Sequence, residues 1–397
     1  MNGMPVLAAR RALRIALVTE TFPPEVNGVA MTVGRMLDGL LERGHQVQVV
    51  RPRQHPDDQP RCEGALQEML VASVPLPRYA GLRMGLPAAA AMARAWAQWR
   101  PDIVHVVTEG LLGWSALTAA GRLRVPATSD FHTNFHSYTR HYGVGFLETV
   151  IGAYLRYFHN RSLCTFVPTR QLSMALASQG YRDTRVVARG VDTRLFNPQR
   201  RSDELRARWG AAEHDSVVLY VGRIAAEKNF ALLLRSFAAI KFRDPRARLV
   251  MVGDGPARAL LQRQHPDAVF AGMRTGEDLA AHYASGDLFL FPSTTETFGN
   301  VTLEAMASGL AVVAFDYAAA REHIVHGECG LLAAFADAHA FERLAVDLVC
   351  DPSRGSMLRN NARLVAERID WASVNDAFAA ALACYAAFPQ TLPLRRQ

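Results

Sequence analysis

The chain alternates short apolar runs with stretches of helical period. Arg14 to Thr19 (RIALVT) has the length and content of a buried parallel strand. A turn-rich loop follows, Thr21 to Gly28 (TFPPEVNG), then a helical spacing through Met31, Leu37, Leu40 and Leu41 that Gly44 closes as a C-cap. The next strand is Gln46 to Val50. The plan restarts at strand Val217 to Val221, with a loop from Gly222, a helix Phe230 to Ile240 and a strand Arg248 to Val252. The first half also holds strands at Ile103 to Val106, Ala127 to Asp130 and Thr165 to Val167, a helix after Gly113 and an amphipathic stretch Phe146 to Phe158. Arg185 to Ala188 then leads into Gly190-Val191-Asp192. The second half adds strands Ala268 to Ala271, Asp287 to Phe291 and Ala311 to Phe315, with helices over Glu277 to Ala284, near Phe298 to Ala307, and over Asp337 to Val349.

Strands alternating with helices imply parallel sheets of right-handed βαβ units. Two such starts, at Arg14 and Val217, predict an α/β fold of two tandem Rossmann-like domains. Residues 1–195 form the first and 196–370 the second, joined by the polar segment Phe196 to Arg201 (FNPQRR). Ligands bind at the carboxyl ends of strands in such sheets, so two domains facing each other would make a cleft.

The composition narrows the class. With 397 residues, 50% hydrophobic and 20% charged, the chain is neither disordered nor fibrous. No apolar run approaches the ~20 residues of a spanning helix. The Ala-rich Pro87 to Ala97 is too short and carries Arg94, and Ile15 to Val18 is too short for a signal peptide, so a cytoplasmic chain is expected. Five scattered cysteines without a C-x-x-C pair point to small buried hydrophobes rather than disulfides or zinc. Of the net charge of +7, residues 1–195 carry the whole excess, with 22 Arg against 14 Asp/Glu. A basic half suits an anionic partner: a phosphorylated substrate, lipid headgroups or nucleic acid.

Candidate chemistry lies in the loops after strands. Neither sheet opens with G-x-G-x-x-G or a Walker pattern. What remains in the first half is Gly28, which either lets backbone approach a phosphate or serves a plain turn. Gly222-Arg223 ends a strand and Lys228 follows; Lys occurs at only 228 and 241 in an Arg-dominated chain. Arg grips a diphosphate bidentately and Lys acts as a point charge. Gly253-Asp254-Gly255-Pro256 makes a tight turn that either leaves room for a flat base or is structural. Glu296-Thr297-Phe298-Gly299-Asn300-Val301-Thr302-Leu303-Glu304 carries the strongest signal. Glu296 is expected in a loop and Glu304 about two turns into a helix, with helix N–H groups around Gly299 to Thr302 favouring an anion. Carboxylates for sugar and ribose hydroxyls beside a phosphate-binding terminus make a nucleotide-sugar layout.

Together, GR-x4-K (Gly222, Arg223, Lys228), GDGP and the E-x7-E stretch ending TLEAMASG resemble the retaining glycosyltransferases of family 4, whose fold is GT-B. TETFPPEVNGVA resembles their acceptor-domain loop, Asp130-Phe131-His132-Thr133 their catalytic histidine segment, and GVDTRLF (Gly190 to Phe196) their interdomain passage. The resemblance implies that Arg223 and Lys228 hold the donor diphosphate, that Gly28 lets the first loop approach it, and that Glu304 binds ribose hydroxyls. Glu296 would contact donor-sugar hydroxyls, with Phe298, Gly299, Asn300 and Val301 completing the clamp and Gly253 and Gly255 beside the base. His132 would sit at the reacting sugar, with His136 and His141 as nearby competitors. It also implies retention through same-face attack assisted by the leaving phosphate, and no metal; no D-x-D occurs. Trp371 to Phe388 fits the family's C-terminal crossover helix or an ordinary packing helix.

Within that family, VTETFPPEVNGV and ETFGNVTLEAMASG are similar to bacterial mannosyltransferases using GDP-mannose, and YLRYFHNRSLCTFVPT to diacylglycerol sugar transferases. The expected reaction is hexose transfer, mannose from GDP-mannose, to a lipid-linked or saccharide acceptor. The alternative is transfer of glucose or sulfoquinovose from a UDP-sugar to diacylglycerol. Arg140, Arg156 and Arg161 flank Tyr138, Tyr142, Phe146, Tyr154, Tyr157 and Phe158, which suits either an interfacial helix on anionic membrane or a helix buried on the first sheet. A sugar-nucleotide epimerase of the same fold would form product without an acceptor. A nucleic-acid binder would show a Lys/Arg-rich run or reader motif, and neither is present.

Overall fold

The computed structural model describes residues 11–25, 27–75, 83–132 and 145–388. Thr133, His136, Tyr138, Arg140, His141, Tyr142 and the side chain of Phe146 lie outside the described residues. The chain forms two compact units. The described residues within 11–132, 146–188 and 372–388 belong to the first, and Gly145 with 189–371 to the second.

The first unit is built on strands β1 (Arg14–Val18), β2 (Gln46–Pro52), β3 (Cys62–Glu63), β4 (Leu66–Val71), β5 (Ser73–Pro75), β6 (Arg83–Gly85), β7 (Ile103–Val106), β8 (Ala127–Asp130), β9 (Thr165–Val167) and β10 (Thr184–Val186). Eight of these form one sheet in the order β10-β9-β8-β7-β1-β2-β4-β3, while β5 and β6 pair separately. The large sheet is parallel except where β3 turns back on β4. Residues of β7 and β8 are buried throughout, as befits strands covered on both faces. The helix Trp371–Ala386 covers one face, with Phe378 and Leu382 fully buried among Phe166, Val187 and Met36.

The second unit carries β11 (Val217–Val221), β12 (Arg248–Val252), β13 (Val269–Gly272), β14 (Leu288–Phe291), β15 (Ala311–Phe315) and β16 (Leu331–Ala333). Their order β13-β12-β11-β14-β15-β16 is fully parallel, the doubly wound arrangement. Strand order reverses between β11 and β14 here and between β1 and β7 in the first sheet. A crevice opens at such a switch point, because the connections on either side leave to opposite faces.

The expected linker is not one. Phe196 is buried in the second core, Pro198–Arg200 forms a 3₁₀ turn, and Arg201 pairs with Asp287 at 3.1 Å. The second unit begins earlier than the expected 195/196 boundary because Val191 bridges to Asp370 and donates its N–H to the Ile369 carbonyl. Arg363 ties this passage down further, donating to the carbonyls of Thr193, Phe196 and Ala307. Polar composition marked a surface here, not a free tether.

Candidate active site

In the second unit the loops after β11 and β14 meet at the switch point. Lys228 Nζ lies 2.5 Å from Glu296 Oε1, and Ser293 Oγ donates to the same oxygen at 2.7 Å. Both charged side chains are mostly covered, at 13% and 15% exposure. This places the pair at a wall of the crevice rather than on a solvated loop. Arg223 is more open, and its guanidinium lies 3.6 Å from the buried Glu227 carboxylate. Tyr317 donates its hydroxyl to the Glu296 carbonyl at 2.7 Å, fixing the loop from the other side.

The helix after this loop is Asn300–Ala307, starting later than the expected Phe298. Phe298 is buried against His323, and its carbonyl accepts the Ala319 N–H. Gly299 then turns the chain at φ 90°, left-handed backbone that glycine adopts without steric penalty. The helix therefore opens at the strand ends with the first-turn N–H groups of Asn300 and Val301 lacking intrahelical acceptors. Glu304 is its fifth residue, a little over one turn in rather than two. Tyr283 donates to Glu304 Oε2 at 2.8 Å. Burial pushes this carboxyl up to about 7, the Tyr283 hydrogen bond offsetting only part of the effect.

Gly253 and Gly255 have a structural explanation. A Cβ at Gly253 would lie 2.0 Å from the Gly222 carbonyl oxygen, and one at Gly255 2.4 Å from that of Ile224. Ile224 donates its N–H to the Asp254 carbonyl, so the two loops pack backbone to backbone. These backbone contacts account for glycine at both positions.

The first unit supplies Gly28 and His132. Gly28 begins the helix Gly28–Glu42, whose N-terminus is capped by Asn27 Oδ1 accepting from Val29 and Ala30. His132 follows β8, with Nε2 2.9 Å from the buried Asp130 carboxylate. Glu20, in the loop after β1, accepts N–H bonds from Gly85 and from Leu112 in the first turn of the helix Leu111–Leu123. Burial raises its pKa against those bonds.

Comparisons with known proteins agree over nearly the whole chain. The family model "Glycosyltransferase Family 4" matches residues 26–195, and "Glycosyl transferases group 1" matches 215–351. The chain is 37% identical over 324 residues to a GDP-mannose-dependent alpha-mannosyltransferase of Mycobacterium tuberculosis, covering 81% of this chain and 83% of that one. This chain belongs to glycosyltransferase family 4. The enzyme is also 28% identical to alpha-monoglucosyldiacylglycerol synthase of Streptococcus pneumoniae, over 76% of this chain and 71% of the relative. Sucrose-phosphate synthase from Thermosynechococcus elongatus shares the fold, with TM-score 0.78 at 20% identity over 94% of this chain and 98% of that one. The enzyme is a hexosyltransferase of GT-B architecture.

In the second unit of the glycosyltransferase Arg223, Lys228, Glu296 and Glu304 follow the two strands at the switch point, while in the first Gly28 follows β1 at the switch point and His132 follows β8, one strand beyond it. Sequence reasoning passed over Ser293, Glu227, Tyr283, Tyr317 and Asp130, which hold these residues in place. Ser293, Glu227 and Asp130 each stand within three residues of a candidate, and Asp130 also opens the segment that resembles the family's catalytic histidine stretch. The amphipathic helix, Gly145–His159, does two things at once. Leu155, Phe158 and His159 are buried, while Val150, Tyr154 and Tyr157 are exposed. Trp114 stacks with Tyr154 and Tyr157, and Arg161 lies 4.7 Å over its ring. Among the described residues no helix is long and apolar enough to cross a membrane.

Proposed function

We propose that this glycosyltransferase moves mannose from GDP-mannose to a lipid-linked or saccharide acceptor with retention of configuration. The Lys228–Glu296 pair beside the N-terminus of Asn300–Ala307 carries the reading, because it offers cation, carboxylate and helix dipole at one switch point. Arg223 and Lys228 neutralise the diphosphate together with the N–H groups of Asn300 and Val301. Glu296 accepts from donor-sugar hydroxyls and Glu304 from the ribose. The C1–phosphate bond breaks, the acceptor oxygen bonds C1 on the same face, and its proton passes to the leaving phosphate. Protein cations stabilise the growing charge in this scheme, so no metal is assigned. The 37% identical relative named for GDP-mannose supports the donor.

The second reading is transfer from a UDP-sugar to diacylglycerol. It is favoured by the aromatic and basic face where exposed Tyr157 stacks on half-buried Trp114 beneath Arg161, and by the likeness to the pneumococcal synthase. Thermal melts with GDP and UDP separate the two. A nucleotide at 100 times its Kd stabilises by about 2.7 kcal/mol, a shift of a few degrees. The larger shift is expected with GDP. A shift confined to UDP would establish the second reading.

A further inference from the structure

Behind His132 the first sheet carries buried ionisable groups that the reaction scheme does not use. Asp130, at the carboxyl end of β8, is 1% exposed, and His105 on neighbouring β7 is fully buried. His132 Nε2 lies 2.9 Å from Asp130 Oδ2, and His105 Nε2 lies 3.5 Å from the same oxygen. The other nitrogen of His105 is 2.9 Å from Thr128 Oγ1. Its ring is wedged between Phe166 and the C-terminal helix residue Phe378, at centroid distances of 5.4 and 5.1 Å. His105 and the carboxylate are both closed off from solvent.

A carboxylate in the interior is costly unless charged or hydrogen-bonding partners hold it. Burial raises the Asp130 pKa, but the charges and hydrogen bonds of His105 and His132 outweigh burial and hold it well below the usual carboxylate range. An ionised carboxylate only accepts, so a ring nitrogen in hydrogen-bond contact with it must carry a proton. We infer that Asp130 is a positioning residue, locking His132 with Nε2–H on the carboxylate and Nδ1 as the ring's acceptor. His105 backs the carboxylate from inside the sheet. Asp130 touches no sugar; it acts through His132. The inference rests on the place at the reacting sugar that the resemblance to family 4 gives His132.

The test uses the full chain labelled with ¹⁵N-histidine, His132 being assigned by the signal lost in His132→Gln. In the wild type the neutral His132 ring is expected to be protonated at Nε2. In Asp130→Asn that single tautomer is expected to give way to a mixture. Losing a carboxylate that sets an imidazole tautomer costs about 10²-fold or more in kcat. Donor KM and the nucleotide-induced melting shift are expected to stay within about twofold, which a general loss of structure would not allow. Protonation at Nδ1 in the wild type would overturn the inference even if Asp130→Asn failed to fold. An unchanged tautomer or an unchanged kcat in folded Asp130→Asn would do the same. A wild-type rate in His132→Ala would instead remove the role of His132, and the Asp130→Asn spectrum alone would then decide the coupling.

Discussion

Glu304→Gln isolates the cost of holding a carboxylate at the proposed ribose site. The folded protein raises this group from 4.5 to about 7 by burial, with Tyr283 donating to one oxygen. A carboxyl with a higher pKa folded than unfolded binds more protons in the native state. Its contribution therefore weakens stability as pH rises from 4.5 to about 7, and the penalty is complete above that. One pKa unit is about 1.4 kcal/mol, so the shift sets a ceiling near 3 kcal/mol, and residual solvent contact reduces it to about 1–3 kcal/mol. Glutamine keeps the shape and an acceptor while removing the ionisation. Urea unfolding at pH 5 and pH 8 is the assay. Near pH 5 the two proteins are expected to be about equally stable, and at pH 8 the variant should be the more stable by that margin. Nucleotide binding by the wild type should tighten over the same interval, because the ionised carboxylate is the better acceptor for ribose hydroxyls. A stability difference that does not change with pH would refute the reasoning.

Lys228→Ala and Glu296→Ala are each expected to keep the fold by circular dichroism and lose about two to three decades of kcat/KM, measured by donor consumption. Lys228→Arg should also be impaired, since a planar fork does not replace a point charge on Glu296. Transfer should persist in EDTA, because the proposed charge neutralisation comes from protein groups; activity lost to chelator and restored by Mg²⁺ or Mn²⁺ would contradict it. Phe378→Ala, at a fully buried ring packed on His105 and Phe166, should cost about 3–5 kcal/mol in urea unfolding. Co-sedimentation with phosphatidylglycerol vesicles should exceed that with neutral ones and weaken when Arg140, Arg156 and Arg161 are neutralised together, at about 1 kcal/mol each. Binding that ignores lipid charge would argue for a saccharide acceptor free in solution.

Much of this protein was legible in one dimension because its sheets are parallel and covered on both faces. Such strands are near-continuous apolar runs, and β7, β9, β11, β12 and β15 coincide with the runs read from the sequence, while β8 (ATSD) is as buried but mostly polar. Loops at strand ends are equally visible, since phosphate chemistry demands Arg, Lys and glycine beside a turn, as at Gly222 to Lys228. The short strands between 62 and 85 carried no comparable run. They are edge or hairpin elements, stabilised by pairing with β4 and with each other rather than by their own hydrophobicity.

Tertiary structure decided the rest, wherever a residue's meaning depends on a neighbour far along the chain. Gly253 and Gly255 read in sequence only as a tight turn, whereas the fold sets the backbones of Gly222 and Ile224 where a Cβ at either position would lie. The polar Phe196 to Arg201 resembled a linker until Asp287, Gly309 and Arg363 were found to pin it to the second core. Glu304 acquires its raised pKa from burial beside Tyr283, 21 residues away. Asp130 is held ionised against its burial by His105 on the neighbouring strand together with His132. Periodicity and residue type specify elements, because hydrophobic burial acts on every residue of a face. Ionisation, strain and available space depend on the few atoms that close around a side chain, and those atoms are brought together only by the fold.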